Sequence, residues 1–339
     1  MTRFDFHTSL TKSTDAIKHL SEYNPFYIRK KGRRTKAIFA LALVCFLWGT
    51  TWLASKEGVK YMPALQMAGI RQLIAGLIYV GFFLWKGIAF PKGKEWIPIL
   101  VLSLLNFVLS NGLSTWGVQY ISAGLGSIMG AIFPLWLVVI GIFSSKEKIP
   151  GKAILGLILG FGGVCIIFYE HLHDFLNPGF QLGIILSVIA TWTWAFGTLY
   201  TKKQAVNFNP YFSLGLQMAI SGIFLILVTN LIRDPQIKAI SVFNIHWRSW
   251  AAIGYLVIFG SIGAFAAYLY ALQNLPTEQA SIYAYVNPMV AVLLGWIILG
   301  ERLTIYIGVG GLVALLGVFL VNRAFKALPA VEQPEAEGI

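Results

Sequence analysis

The chain has 339 residues, of which 57% are hydrophobic and only 12% charged, with 34 glycines. A soluble domain carries about 25% charged residues, so half that share, with a mean hydropathy of +0.71, makes lipid the solvent. The net charge of +12 does not point to nucleic acid: nine of the 26 Lys and Arg precede residue 37, most others sit in short loops between apolar runs, and no basic face with interleaved aromatics occurs.

Residues 1–36 are polar and basic and lack the apolar core of a cleaved signal peptide; a cytoplasmic segment near the membrane is expected. Apolar stretches then run over about 37–55, 63–85, 97–116, 121–143, 152–169, 181–200, 211–232, 250–272, 278–299 and 305–322. Each approaches the roughly 20 residues that a helix needs to cross hydrocarbon. The breaks between them carry helix-ending residues, as in Phe90-Pro91-Lys92-Gly93, Ile149-Pro150-Gly151, Asn177-Pro178-Gly179 and Asn209-Pro210. Lipid offers no partner to an open backbone, so the expected fold class is all-α integral membrane, with ten transmembrane helices. Cys45 and Cys165 lie inside apolar runs, where a thiol acts as a small hydrophobe; no disulfide framework or metal spacing is present.

The chain also repeats itself. Residues 116–167 align without a gap on 270–321, placing Pro134 on Pro288, Glu147 on Glu301, Gly156 on Gly310, Gly163 on Gly317 and Ser127-Ile128 on Ser281-Ile282. Earlier in the halves, Trp48 and Lys56 stand eight residues apart, as do Trp194 and Lys202, and Pro63 and Pro210 open equivalent helices. The domains expected are a first five-helix repeat over 37–169, a second over 181–322, and a cytoplasmic tail over 323–339. Five spans is an odd number, so the repeats are inverted. Two such halves enclosing a midplane site are a signature of many secondary transporters. With the N-terminus inside, cytoplasmic segments hold 19 Lys and Arg, outer loops six, and one lies within a span; this bias places both termini in the cytoplasm.

Arg71 is the only charged residue well inside a span. Its cost in hydrocarbon, at least ~2.5 kcal/mol, turns it toward the bundle interior. It reads either as a cation that receives a carboxylate or phosphate, or as a guanidinium that pins helix carbonyls or snorkels outward. Trp48, Trp52, Trp116, Trp192, Trp194, Tyr268, Tyr270, Tyr283 and Tyr285 suit either a cavity for amphipathic solutes or an interfacial belt. Trp48 and Trp194 stand out as repeat equivalents. Asn106, Ser110, Asn111, Ser114, Thr191 and Asn287 fall at mid-span, where polar groups need partners. Glu147 and Glu301, beside Lys148 and Arg302, read as helix-start caps and corner ion pairs. Gly126-x-x-x-Gly130 and Gly156-x-x-x-Gly160 permit close helix contact, and Glu170-His171-Leu172-His173-Asp174 reads as a solvated loop. No Gly-x-x-x-x-Gly-Lys loop occurs, and no Asp or Glu lies deep in a span to relay protons.

This pattern resembles the drug/metabolite transporter superfamily, specifically its EamA-type members with two five-helix repeats. The resemblance covers about residues 37–322 and rests on Trp48-Gly49, Pro63 with Arg71, Pro134, Glu147, Gly156 and Gly163. In the second half it rests on Trp194, Pro288, Gly300-Glu301-Arg302-Leu303-Thr304, Gly310 and Gly317. The first half departs from that corner as Lys146-Glu147-Lys148-Ile149-Pro150. The resemblance implies export or uptake of small metabolites such as amino acids through a central cavity.

The resulting expectation is an inner-membrane carrier, not an enzyme, that moves a small organic solute by alternating access. Arg71, Trp48, Asn111, Trp194, Tyr283 and Asn287 are the expected substrate-binding residues. No cofactor and no metal is expected. The expected partners are the solute and the bilayer, with a homodimer left open. Efflux of hydrophobic or cationic drugs is the rival within transport, and an integral-membrane enzyme the rival outside it.

Overall fold

The computed structural model describes residues 33–144, 150–204, 209–232, 237–275 and 283–326. The expected N-terminal segment to residue 32, the tail beyond 326, Glu147, Ser281 and Ile282 lie outside the described residues. Among the described residues nine helices are long and apolar enough to cross a membrane, and Tyr283–Leu299 is a shorter apolar helix; none forms a strand. In chain order these are α1 (Arg33–Gly58), α2 (Ala64–Trp85), α3 (Gly93–Gly117), and α4 in two pieces, Ala123–Ala131 and Phe133–Ser144. Then come α5 (Gly151–Glu170), α6 (Pro178–Gln204), α7 (Pro210–Leu231), α8 (Trp247–Ala271), α9 (Tyr283–Leu299) and α10 (Ile305–Lys326). The fold is all-α and membrane-spanning.

Local chemistry sets the helix ends. Ser122 Oγ accepts from Leu125 N at 3.0 Å to open α4. Asn209 Oδ1 accepts from Tyr211 N and Phe212 N, with Pro210 as the first helical residue of α7. These caps satisfy amide donors that a helix start leaves orphaned. Gly300 ends α9 with φ of 67°, a conformation that glycine adopts without steric cost.

Two helix pairs make the most extensive contacts, α5 with α10 and α2 with α7. Both crossings are lined by glycine. A Cβ on Gly156 would fall 2.7 Å from the Gly317 carbonyl oxygen, and one on Gly310 would fall 2.7 Å from that of Gly163. In the other pair, a Cβ on Gly69 would lie 3.2 Å from the Gly222 oxygen and one on Gly76 2.8 Å from that of Gly215. An early glycine of one helix meets a late glycine of its partner, so both pairs run antiparallel. The contact of Gly156 with Gly317 maps under the repeat onto that of Gly310 with Gly163. The halves are therefore related by a two-fold rotation and inverted across the membrane. On the outer faces of α5 and α10, Leu155, Ile158, Leu312 and Phe319 are exposed, as a lipid-facing coat requires.

Two departures from the expected helices are themselves equivalent. The third and eighth spans, expected as plain α-helices over 97–116 and 250–272, contain wide π turns at Ser103–Gly112 and Leu256–Gly263. Apolar patterning does not distinguish the two helix types, because a π insertion changes only which face the following residues take.

Gly163→Leu should lower the melting temperature sharply, by about 3 kcal/mol of stability, because overpacking a close helix contact forces the backbones apart. Gly162→Leu, at a neighbouring position where an added Cβ meets nothing within 4 Å, should leave it nearly unchanged. Thermal unfolding in detergent compares the two.

Candidate functional site

A cavity of about 180 Å³ lies between the halves, walled by residues of α1, α2, α3, α4, α6, α8 and α9. All six residues singled out from sequence line it: Trp48, Arg71, Asn111, Trp194, Tyr283 and Asn287. The other mid-span polar residues, Asn106, Ser110, Ser114 and Thr191, line it as well.

The π turn of α8 sets two of these side chains. Gly260, within it, offers its carbonyl to Trp48 Nε1 at 3.2 Å, and Ser261 Oγ accepts from Arg71 Nε at 3.0 Å. A Cβ at Gly260 would stand 2.8 Å from the Thr51 methyl and 3.2 Å from Arg71 Nη2, so this approach requires glycine. Arg71 is buried, 6% exposed, which removes the snorkelling alternative. Its terminal nitrogens make no hydrogen bond, and no carboxylate lines the cavity, among the described residues. The repeat equivalent of Arg71 is Gln217, buried against Ser213, whose Oγ accepts from its amide at 2.9 Å. The charge thus belongs to one half only.

The π turn of α3 serves the other wall. Gln72 Nε2 donates to the Asn111 side-chain oxygen at 3.0 Å and to the Phe107 carbonyl at 3.2 Å, and the Gln72 oxygen accepts from Ser221. Asn111 is thereby held in place by a buried amide of α2. On α9, the Asn287 side-chain amide lies 2.8 Å from the Cys45 carbonyl and 3.2 Å from that of Tyr283; two carbonyl acceptors call for the amide nitrogen on that side, where it ties α9 to α1.

Aromatic rings close one side. Trp48 packs its ring 5.0 Å from Phe265 and 5.1 Å from both Tyr268 and Tyr283. The Tyr283 hydroxyl faces Trp194 and Tyr268, so Tyr283 touches both repeat-related tryptophans. Trp52 lies over Gly126 and Gly130, where a Cβ would come within 3.0 and 2.9 Å of its ring. Trp116, Trp192, Tyr268, Tyr270 and Tyr285 are not among the lining residues. Trp192 faces outward, packed on Trp136, and the Tyr285 hydroxyl donates to the Val318 carbonyl, joining α9 to α10.

Comparison with known proteins adds the family. The EamA-like transporter family matches residues 35–169 and again 181–323. The chain belongs to this family. Among its relatives is the uncharacterized inner membrane transporter YedA of Escherichia coli strain K12, 31% identical over 306 residues, which cover 87% of this chain and 93% of that protein. The uncharacterized transporter YvbV of Bacillus subtilis is 31% identical over 311 residues, covering 88% and 95%. The chloroplastic WAT1-related protein At3g02690 of Arabidopsis thaliana is 28% identical over 82% of this chain and 67% of its own length. A solved crystal structure at 14% identity shares the fold, with a TM-score of 0.58 over 84% of this chain and 96% of that one. This family member is a membrane transporter.

Sequence reasoning missed Ser261, Gly260 and Gln72, because their roles depend on π turns that leave no mark in composition. It also assigned Glu301 to its own corner beside Arg302. The Glu301 carboxylate instead accepts from Ala123 N at 2.6 Å and Gly124 N at 3.1 Å, capping α4 of the opposite half. His171 and Asp174 pair at 2.5 Å in their loop, and no group of three potential metal ligands occurs among the described residues.

Trp48→Phe keeps an aromatic ring among Phe265, Tyr268 and Tyr283 but loses the bond to Gly260 and part of the indole contact, so stability should fall by about 1–2 kcal/mol. Trp48→Ala also opens a void and should cost about 3–5 kcal/mol. Thermal unfolding of the two variants separates the donor from the packing.

Proposed function

We propose that the chain is an inner-membrane secondary transporter that moves small organic anions or zwitterions, carboxylates such as amino acids among them, by alternating access. The observation that carries this reading is Arg71, a buried cation in the cavity wall whose terminal nitrogens are unpaired and which has no carboxylate beside it among the described residues. A guanidinium presents a planar fork that matches a carboxylate with two parallel hydrogen bonds. In a site shielded from water, an arriving anion supplies the charge partner that the protein leaves out.

The aromatic wall of Trp48, Trp194 and Tyr283 suits the apolar part of such a solute, and Asn111 and Asn287 its polar edges. Drug-sized pockets span about 300–1,000 Å³, so a cavity of about 180 Å³ favours a small metabolite over drug efflux. Two inverted halves around one site give each half access to the shape of the other, which is the geometry of alternating access. The name of the relative YedA as an inner membrane transporter, together with the basic residues of the expected cytoplasmic segments, supports the inner membrane with both termini in the cytoplasm.

Flux into proteoliposomes of labelled monocarboxylates, amino acids and neutral solutes tests the reading. Arg71→Gln should raise KM for the carboxylate solute about tenfold to hundredfold, the loss of one charged hydrogen-bonded pair. Arg71→Lys, which keeps the charge but not the fork, should fall between. Equal effects on anionic and neutral solutes would remove Arg71 from solute binding.

A further inference from the structure

One end of the cavity, bounded by Ser55, Val118 and Gly126, abuts a polar joint between the halves. Lys56, in the last turn of α1, donates from Nζ to the carbonyls of Val118 at 2.7 Å, Gln119 at 3.3 Å and Ile121 at 2.6 Å. These carbonyls follow the end of α3, where a helix leaves acceptors unsatisfied. Immediately beyond, Glu301 of the second half accepts from Ala123 N at 2.6 Å and Gly124 N at 3.1 Å. Its own N–H donates to the Gly295 carbonyl at 3.1 Å. The turn over 118–124 is held between a cation of one half and an anion of the other.

The fit around Glu301 is close. A Cβ on Gly295 would lie 2.5 Å from its carboxylate, and one on Gly124 3.5 Å from the carboxylate and 3.1 Å from the Val292 side chain. The remaining contact of α4 with α9 is made by small and apolar groups, Gly124 against Val292 and Ala123 beside Ala291. Such surfaces separate without leaving a polar group unpaired. Two charge-assisted hydrogen bonds, in contrast, define one discrete closed arrangement. Glu301 is only partly buried, so water can replace its two amide donors when the joint opens. The exchange keeps the two arrangements close in free energy.

We propose that Glu301 is the latch that closes this end of the cavity, and that each transport cycle breaks its two hydrogen bonds as α4 parts from α9. Lys56 keeps the 118–124 turn attached to α1, so that the turn moves with the first half. Glu301 thus acts as a positioning residue for access and does not touch solute.

The test needs no knowledge of the solute. With Cys45 and Cys165 replaced by alanine, Ser127→Cys places a reporter in the cavity wall beside the latch, read by its rate of reaction with a membrane-impermeant maleimide. Adding Glu301→Ala should raise that rate about tenfold, and the isosteric Glu301→Gln, which keeps one carbonyl acceptor, should raise it less. Unchanged rates in both variants would overturn the proposal. A second arm joins the parts across the latch by the pair Gly124→Cys and Val292→Cys. Oxidation should abolish flux and reduction restore it, the recovery proving that the chain is folded. Undiminished flux through the cross-linked protein would show a static joint and overturn the latch. The labelling arm decides the proposal even if no solute in the flux panel is carried, so its failure is distinguishable from failure of the anion reading.

Discussion

Everything in this molecule hangs on two antiparallel helix crossings made by glycine, α2 on α7 and α5 on α10. In lipid there is no hydrophobic gain when two apolar helices meet, so association depends on close van der Waals contact and on the few polar bonds available. Glycine lets backbones approach until the carbonyl of one helix fills the space where a side chain of the other would stand, as at Gly76 and Gly163. Each crossing joins a helix to its own repeat equivalent. The same contacts that hold the halves together therefore impose the two-fold relation between them, and the cavity lies where the remaining helices converge.

The backbone is symmetric and the chemistry is not. Trp48 and Trp194 occupy equivalent places and both line the cavity, but Arg71 has Gln217 as its counterpart and Asn287 has Phe133. Inverted repeats packed in this way are a feature of many secondary transporters. The asymmetry sets Arg71 in the cavity wall on α2, with the neutral Gln217 at the equivalent place on α7.

Polar groups inside the bundle fall into two classes. Some are satisfied within the protein, such as Gln72 between Asn111, Phe107 and Ser221, or Ser103 donating to the Gln217 carbonyl at 3.0 Å. Others, above all the end of Arg71, are left facing the cavity. The first class fixes the geometry of the second. The π turns of α3 and α8 are where this happens, since a wider turn re-aims the residues within it and turns Gly260 and Ser261 toward Trp48 and Arg71.

The membrane location, the repeats, their inversion and the family resemblance were all legible from sequence, because each follows from local composition or from counting. A run of about 20 apolar residues has one stable form in lipid, and an odd number of spans between equivalents forces inversion. The mid-span polar residues were legible for the same reason: hydrocarbon does not tolerate them unless they face one another or a cavity. Sequence left Arg71 between two readings, and only the tertiary structure withdrew it from the surface and set it on Ser261. The reach of Glu301 across to α4 was equally hidden, since its partners lie just over half the chain away and are backbone amides, which carry no residue signature. What lipid demands of each segment is written in that segment; which groups meet across the halves is decided by packing alone.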